Sequence, residues 1–344
     1  MHLTGVSGYD VAVDLGTTNA VVYVRGRGIR LCEPTLVAVD PRTRAISAVG
    51  ADAKRDARAR RSGATVVRPL SGGVITDFER ARELLNRLIH KACPSHRPHP
   101  RMVVMSMPGV ATGLEKRAIE EACLSAGARH ASLIGAPMAA AIGAGLPIGE
   151  PAGSMVVDVG GGTCEAAVIA LGEIVVARSI RAGGDEFDEA IIKHVRREYS
   201  LLIDAPAAEE LKVTIGSTHP IDDVLEAEVS GRELRSGLPK NVKVSSPAIR
   251  AALERPVARI IETVTETLRQ TPPELGSDII DRGLMLTGGG SRLRGLAERL
   301  RQETQLPVHL AELPITCVAA GSGAWLEELA SDRKFDQDIV QWAA

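Results

Sequence analysis

The chain has 344 residues, more than one hydrophobic core usually organises, so its length predicts two lobes of comparable size. Its 41 basic and 43 acidic side chains leave a net charge of -2, and only 2% of the residues are aromatic. These values argue against a nucleic-acid binder, because both bulk positive charge and base-stacking rings are lacking. The five cysteines are scattered without a Cys-x-x-Cys pair, which predicts a reduced, cytoplasmic compartment.

The first predicted elements are two strands, 10–15 and 20–24, joined by a short polar turn. That turn consists of Gly16, Thr17, Thr18 and Asn19. The pattern recurs where the strand 155–158 ends in Asp158 and leads through a glycine turn into the strand 166–170. Two copies of strand, acidic residue, turn and strand predict an internally duplicated fold with one such hairpin in each lobe.

The segments around these hairpins alternate between helical and strand patterns. An apolar strand at 102–107 ends at Pro108, and a strand, a glycine-rich turn and a helix follow one another at 283–300. Helices are predicted at 78–93, 113–126, 185–199, 206–215 and 247–270, the last of them long and amphipathic. This alternation is typical of an α/β protein.

Three glycine turns in the chain have a physical reason to bind phosphate. Small residues let backbone N–H groups converge on an anion without a side chain in the way. The third turn follows a strand and precedes a helix, where the backbone can also approach a planar ligand, and it contains Gly288, Gly289, Gly290 and Ser291. One such turn is weak evidence, but three predict a phosphate-binding site.

With these turns in place, the sequence resembles the MreB family of bacterial actin homologues, within the superfamily of actins, chaperones and sugar kinases. The resemblance extends from about residue 9 to residue 329. It also includes the stretches Gly183-Gly184-Asp185-Glu186-Phe187-Asp188, Glu209-Glu210-Leu211-Lys212, Pro137-Met138-Ala139-Ala140-Ala141-Ile142-Gly143 and Thr271-Pro272-Pro273-Glu274-Leu275. It implies a duplicated actin-like (ribonuclease H-like) α/β fold with two lobes around a nucleotide cleft.

The implied domain organisation follows the two copies of the hairpin. The first lobe covers 1–144 with a small insertion at 32–67, and the second covers 145–330 with an insertion at 180–244. Residues 331–344 form a C-terminal tail.

The resemblance further implies ATP and Mg²⁺ as cofactors. Asp14 and Asp158 would hold the metal through water, since a hard cation prefers carboxylate and water oxygens. Glu209 and Lys212 would reach the ribose and adenine, with a surface ion pair between them as the alternative interpretation. The full set of implied nucleotide contacts is Gly16, Thr17, Thr18, Asn19, Gly160, Gly161, Gly162, Thr163, Gly183, Gly184, Asp185, Glu209, Glu210, Leu211, Lys212, Gly288, Gly289, Gly290 and Ser291.

One departure from the family concerns hydrolysis. The Glu that normally precedes Pro-Met-Ala-Ala-Ala-Ile-Gly is replaced here by Ala136, which has no oxygen to orient the attacking water. Thr163 remains as a water-positioning hydroxyl, and metal electrostatics carry much of phosphoryl transfer. The sequence therefore predicts ATP binding with slow hydrolysis.

The function implied by the resemblance is that of a cytoskeletal subunit. Identical subunits would polymerise into filaments peripheral to the inner face of the cell membrane and organise the cell-wall synthesis machinery, with no nucleic acid as partner. The family's apolar membrane loop is replaced by the cationic segment 94–101, which predicts salt-sensitive headgroup contact. A small-molecule kinase, which needs an acceptor pocket with a carboxylate base, and a chaperone-type ATPase, which needs a substrate-binding domain, remain the alternatives.

Overall fold

A computed structural model of the chain describes residues 9–59, 63–93 and 100–331. The chain divides into two compact units. The first unit comprises Met1–Pro147 together with Thr316–Ala344, and the second comprises Ile148–Ile315.

The strands alternate with helices along the chain, as the sequence pattern predicts. In chain order the strands of the described residues are β1 (Tyr9–Leu15), β2 (Asn19–Val24), β3 (Gly28–Pro34), β4 (Val37–Val39), β5 (Ile46–Val49), β6 (Thr65–Val67), β7 (Leu70–Ser71), β8 (Val74–Ile75), β9 (Pro100–Met107), β10 (His130–Gly135), β11 (Ser154–Val159), β12 (Cys164–Ala170), β13 (Glu173–Ile180), β14 (Leu201–Leu202), β15 (Glu226–Glu233), β16 (Pro239–Ser245), β17 (Leu284–Thr287) and β18 (Val308–Leu310).

The five predicted helices are confirmed, and each agrees with an observed helix to within one residue at either end. The helices of the described residues are α1 (Gly50–Ala59), α2 (Phe78–Ala92), α3 (Gly113–Ser125), α4 (Ala136–Gly143), α5 (Gly184–Tyr199), α6 (Ala205–Ile215), α7 (Ser246–Gln270), α8 (Pro273–Arg282), α9 (Leu296–Thr304) and α10 (Cys317–Ser331). Short 3₁₀ turns occur at Gly289–Arg292 and Pro314–Thr316.

The two units contain the same five-stranded sheet. Its strand order is β3-β2-β1-β9-β10 in the first unit and β13-β12-β11-β17-β18 in the second. In both, the first strand pairs antiparallel with the next strand of the chain and parallel with a strand that arrives later. The predicted internal duplication is therefore confirmed at the level of topology.

Each unit has its own hydrophobic core, built almost entirely from aliphatic side chains. β11 and β12 are buried along their whole length, so most of their residues are apolar on both faces, with Ser154, Asp158 and Glu165 as buried polar exceptions. Helix α2 buries one face against the first sheet through Leu84, Leu85, Leu88 and Ile89, at the spacing of an amphipathic helix.

The end of the chain differs from the predicted second lobe, which was to run to residue 330. Helix α10 belongs to the first unit, where it packs against α4 and β1. Gly143 and Gly321 lie at the crossing of α4 and α10, and a Cβ on either would collide with a backbone carbonyl of the other helix. The close crossing of these two helices is what brings the C-terminal helix back to the first unit.

The two predicted insertions each contain a small antiparallel sheet. The strands β5-β4-β6 form the first, within 32–67, and β14-β15-β16 form the second, around 180–244. The second insertion includes the antiparallel β15–β16 hairpin.

Some of the predictions concern residues that the structure does not describe. The histidine-bearing part of the cationic segment, 94–99, and the C-terminal tail from 332 onward lie outside the described residues. Among the helices that are described, none combines the length and apolar character needed to span a membrane.

Candidate functional site

The second glycine turn is closed by a hydrogen bond across its ends. The N–H of Gly160 donates to the carbonyl of Thr163 at 2.8 Å. The N–H groups of Gly161, Gly162 and Thr163 have no protein acceptor within the described parts of the chain. Three successive small residues thus present backbone donors, the arrangement that binds an oxyanion. We call residues 160–163 the second phosphate turn.

Helix α5 begins against the carbonyl groups of this turn. The N–H of Gly184 donates to Gly160 at 3.1 Å, and the N–H of Asp185 donates to Gly161 at 2.8 Å. A Cβ on Gly183 would lie 2.5 Å from the carbonyl oxygen of Gly160. The close approach therefore requires a glycine at position 183. The first turn of α5 binds the carbonyl side of the second phosphate turn.

Asp158 lies at the end of β11, directly before the second phosphate turn. Its Oδ1 accepts a hydrogen bond from Oγ1 of Thr287 on β17 at 2.9 Å. Only 8% of Asp158 is exposed, and this burial raises the pKa of its carboxyl to about 6, with the Thr287 hydrogen bond acting in the opposite direction.

The third glycine turn lies directly on the second. Gly288 adopts φ +84°, and a Cβ there would collide with the carbonyl oxygen of Val159. A Cβ on Gly290 would lie 2.7 Å from the Val159 side chain. Because neither position tolerates a side chain, the two turns touch through their backbones, beside the carboxyl group of Asp158.

The Glu209–Lys212 segment lies on α6, and its four residues do not share one environment. Glu209 and Glu210 are exposed, whereas Leu211 is 2% exposed and belongs to the core. The Nζ of Lys212 lies 2.7 Å from Oδ1 of Asp188 on α5. The ion pair considered from sequence, between Glu209 and Lys212, is thus replaced by a pair with a residue of another helix.

The first glycine turn, 16–19, is held by a different set of bonds. The N–H of Gly16 donates to Asn19 at 3.1 Å and closes the turn. Thr35, just after β3, donates through its hydroxyl to the carbonyl of Gly16 at 2.7 Å and through its N–H to Thr18 at 2.9 Å. The N–H groups of Thr17 and Thr18 have no protein acceptor in the described ranges, so this turn too offers backbone donors to an anion.

The side chains around the first turn fix its edges. Oγ of Ser106, on β9, donates to Oδ1 of Asp14 at 2.8 Å. The N–H of Gly73 donates to Oγ1 of Thr17 at 2.9 Å, and Arg68 reaches the hydroxyl of Thr18 at 3.4 Å. Sequence reasoning missed Ser106 and Thr287, although the duplication supplied a signal, since each lies near the carboxyl end of an apolar strand that pairs in parallel with the first strand of its sheet.

The position of the missing carboxylate is the start of α4. Gly135 precedes the helix and makes no side-chain capping bond, and Ala136 and Pro137 open its first turn. No oxygen-bearing side chain stands at either 135 or 136.

Metal binding at this site would depend on isolated carboxylates. Among the described residues, no group of three or more His, Cys, Asp or Glu side chains could hold a metal ion. Mg²⁺ commonly binds through one or two carboxylates while keeping several waters and phosphate oxygens as ligands. Asp14 and Asp158, each at the edge of a turn with backbone donors, fit that donor set.

Two copies of one five-stranded sheet, each with a glycine turn after its first strand, define the actin-like class of fold. The crystal structure of MreB 5 of Spiroplasma citri bound to AMPPNP superposes with a TM-score of 0.90 at 33% identity, covering 96% of this chain and 99% of that one. A MamK double helical filament structure matches with a TM-score of 0.79 at 22% identity, over 93% of this chain and 98% of that one, which supports the fold.

Sequence comparisons identify the family. The family model described as MreB/Mbl protein matches residues 8–334. The cell shape-determining protein MreB of Escherichia coli (strain K12) is 47% identical over 329 residues, 94% of each chain. The cell shape-determining protein Mbl of Bacillus subtilis (strain 168) is 41% identical over 321 residues, 93% of this chain and 96% of the relative. The chain belongs to the MreB/Mbl family, and it is an actin-like cytoskeletal protein.

Proposed function

We propose that this chain is an ATP- and Mg²⁺-binding subunit that polymerises into membrane-associated filaments and organises cell-wall synthesis and cell shape. The observation that carries the nucleotide part is the convergence, within the second unit, of the second phosphate turn, the third glycine turn and the start of α5 around Asp158. Backbone donors, a buried carboxylate and a side-chain-free surface for a planar group are what a nucleoside phosphate with its metal requires.

We assign the nucleotide contacts from the geometry of each unit. In the second unit, the N–H groups of 161–163 would bind phosphate oxygens, and 288–291 would lie along the adenosine. In the first unit, the N–H groups of Thr17 and Thr18 would bind phosphate. Asp14 and Asp158 would hold Mg²⁺ through water. The related MreB 5 of Spiroplasma citri was solved with AMPPNP and with ADP, which supports a nucleotide as the ligand.

The proposed polymer draws on the family membership. The MamK double helical filament supports self-association, and the name cell shape-determining protein that the relatives of this chain carry supports a role in cell shape. The place at the inner face of the cell membrane and the cell-wall synthesis machinery as partner are part of the same proposal. In the described part of the cationic segment, Arg101 is paired with the buried Asp10, at 2.8 Å. Salt-sensitive headgroup contact, if made here, would therefore use other basic groups of the segment.

Sedimentation of the purified chain tests the polymer. We expect concentration-dependent pelleting that requires both ATP and Mg²⁺, and flotation with anionic vesicles that is lost at high salt because basic side chains attract headgroups only within a Debye length. Phosphorylation of a small acceptor without any pelleting would overturn the proposal in favour of a kinase.

ATP hydrolysis is proposed to be slow, with Thr163 positioning the water. Restoring a carboxylate with Ala136→Glu should raise the rate of phosphate release by roughly 10² to 10⁴, the usual contribution of a group that activates a nucleophile. The measurement is single-turnover phosphate release from the wild type and the variant, with the protein in excess over ATP and Mg²⁺ saturating.

A matched substitution at the same helix start, Ala136→Gln, keeps the size of Glu without its charge and should leave hydrolysis slow. If the wild type already releases phosphate as fast as the Glu variant, another residue supplies the function and the assignment at position 136 fails.

A further inference from the structure

The first turn of α5 is held from α6 as well as from the second phosphate turn. The Nζ of Lys212 lies 2.7 Å from Oδ1 of Asp188 and donates to the carbonyl of Gly184 at 3.2 Å. The side chains of Lys212 and Asp188 are only 16% and 15% exposed. Solvent and salt screen such a sheltered pair much less than a surface pair, so it can fix the relative position of two helices.

Gly184 links this ion pair directly to the second phosphate turn. Its carbonyl accepts from Lys212, while its N–H donates to the carbonyl of Gly160 at 3.1 Å. A Cβ on Gly184 would lie 3.6 Å from Cα of Gly161 and 3.7 Å from Nζ of Lys212, so nothing bulky separates the three groups. Displacement of the Lys212 amine would therefore shift Gly184 and, through its hydrogen bond to Gly160, the second phosphate turn.

We propose that Asp188 is a positioning residue for the second phosphate turn, acting through Lys212 and Gly184. Asp188 orients the amine of Lys212, the amine fixes the start of α5, and the start of α5 holds the carbonyl side of the turn while its N–H groups bind phosphate. The inference rests on the proposed function, because it concerns the same nucleotide site. According to this inference, the amine of Lys212 binds Asp188 and Gly184 and does not contact the nucleotide.

Direct contact between Lys212 and the adenine would behave differently. In that case, loss of Asp188 would leave the amine free to bind the nucleotide, and affinity would hold or improve. Loss of Lys212 would then weaken all adenine nucleotides alike and change the preference for ATP over GTP. If Asp188 is a positioning residue, loss of Asp188 and loss of Lys212 should weaken nucleotide binding to a similar extent. The weakening should depend on the phosphates of the nucleotide and not on its base.

The experiment compares Asp188→Asn, Lys212→Met and the double variant in the full chain. Dissociation constants are measured for Mg·ATP, AMP and Mg·GTP. We expect each single variant to weaken Mg·ATP by about 3- to 30-fold, the range covered by residues that act through others. The dissociation constant of AMP should change less than that of Mg·ATP, and the ratio of the dissociation constants of Mg·ATP and Mg·GTP should stay that of the wild type. The double variant should bind Mg·ATP no more weakly than either single variant, because the two residues act through the same contacts.

Two further variants separate positioning from general damage. Glu189→Gln removes a neighbouring charge of α5 whose partner, Lys193, lies on the same exposed face at 3.0 Å, and it should bind Mg·ATP like the wild type. Lys212→Arg keeps the positive charge beside Asp188 and should recover most of the affinity lost in Lys212→Met.

The proposal is overturned if Asp188→Asn binds Mg·ATP as tightly as the wild type, or if Lys212→Met changes the ATP-to-GTP ratio. Thermal unfolding of every variant distinguishes a folded protein with weak binding from an unfolded one. A wild-type chain that binds no nucleotide would contradict the proposed function itself, a result distinct from either of these.

Discussion

The first glycine turn, residues 16–19, and the second phosphate turn occupy equivalent places in the duplicated sheet, yet they are held in different ways. In both, a hydroxyl on the parallel neighbouring strand donates to the aspartate that ends the first strand: Ser106 to Asp14 at 2.8 Å and Thr287 to Asp158 at 2.9 Å. In both, the residues that follow the third strand along the chain, β3 in the first unit and β13 in the second, donate hydrogen bonds to carbonyl groups of the turn. In the first unit Thr35 does so, and in the second unit Gly184 does.

The difference lies in what supplies those donors and how deeply the aspartate is buried. The first turn is held by the hydroxyl and N–H of Thr35, with Gly73 and Arg68 bonded to its threonines, while the second is held by the backbone of a helix that is itself held by the Asp188–Lys212 pair. Asp14 is half-buried, whereas Asp158 is 8% exposed and its pKa is raised to about 6. The two turns therefore share one geometry but have different supports, and substitutions at those supports test whether the difference affects binding and stability.

The largest effect is expected from Gly183→Ala, which acts only on the second turn. The new Cβ would lie 2.5 Å from the carbonyl of Gly160 and 2.9 Å from that of Gly161, so the turn has to move. A displacement of about 1 Å in a positioned site costs roughly 100-fold, and we expect a loss of that order in Mg·ATP affinity by calorimetry.

The matched control is Gly276→Ala on α8 of the same unit, where a Cβ would meet nothing within 4 Å. It should leave nucleotide affinity unchanged and stabilise the helix slightly, since alanine is the better helix former. Equal affinities for the two variants would contradict the close approach of α5 to the turn.

A smaller difference is expected between Thr287→Val and Ser106→Ala. Thr287→Val keeps the shape of a fully buried side chain but removes the donor to Asp158, a loss that costs about 1–3 kcal/mol for a buried group. Ser106→Ala should cost about 1 kcal/mol or less, because Asp14 is more exposed to water.

Urea unfolding of the nucleotide-free protein at pH 7.5 measures both costs, and wild type and variants are compared at the same ionic strength. A larger loss for Ser106→Ala than for Thr287→Val would show that the two aspartates are not distinguished by burial.

The pH dependence of stability should also separate the two turns, through the burial of Asp158. Burial raises the pKa of Asp158 from its usual value near 4 to about 6, so between these values the folded chain keeps a proton that the unfolded chain has lost. The contribution of Asp158 to the free energy of unfolding therefore falls as pH rises through this interval, by about 3 kcal/mol in total.

Urea midpoints measured from pH 4.5 to 7.5 without nucleotide or metal test this sign. Asp158→Asn should flatten the dependence in part, and Asp188→Asn should flatten it further, because burial also raises the pKa of Asp188 to about 6 against the opposing charge of Lys212. An unchanged slope in both variants would mean that neither carboxyl titrates in this range.

Much of the fold could be predicted because its signals are local. The apolar runs before Gly16 and Gly160, the repeated turn chemistry and the helical periodicity of α2, α3, α5, α6 and α7 depend on neighbouring residues. The motif residues of the candidate site were found for the same reason, since each glycine turn is contiguous in the chain.

What could not be predicted depends on residues that meet across long separations. The Thr287–Asp158 bond joins residues 129 apart, and Lys212 donates to Gly184 across 28. The periodicity of α6 indicated which face Lys212 occupies, but it could not identify Asp188 as the partner in place of Glu209.

The α/β class, the duplication, the positions of the three turns and the family could all be inferred from the amino-acid sequence, because these follow from short-range patterns and from contiguous motifs. Three features emerge only in the folded chain: α10 returns to the first unit, α5 supports the second phosphate turn, and Asp158 is more deeply buried than Asp14. Burial and backbone contact are properties of packing, and packing joins elements whose order along the chain does not state which of them will touch.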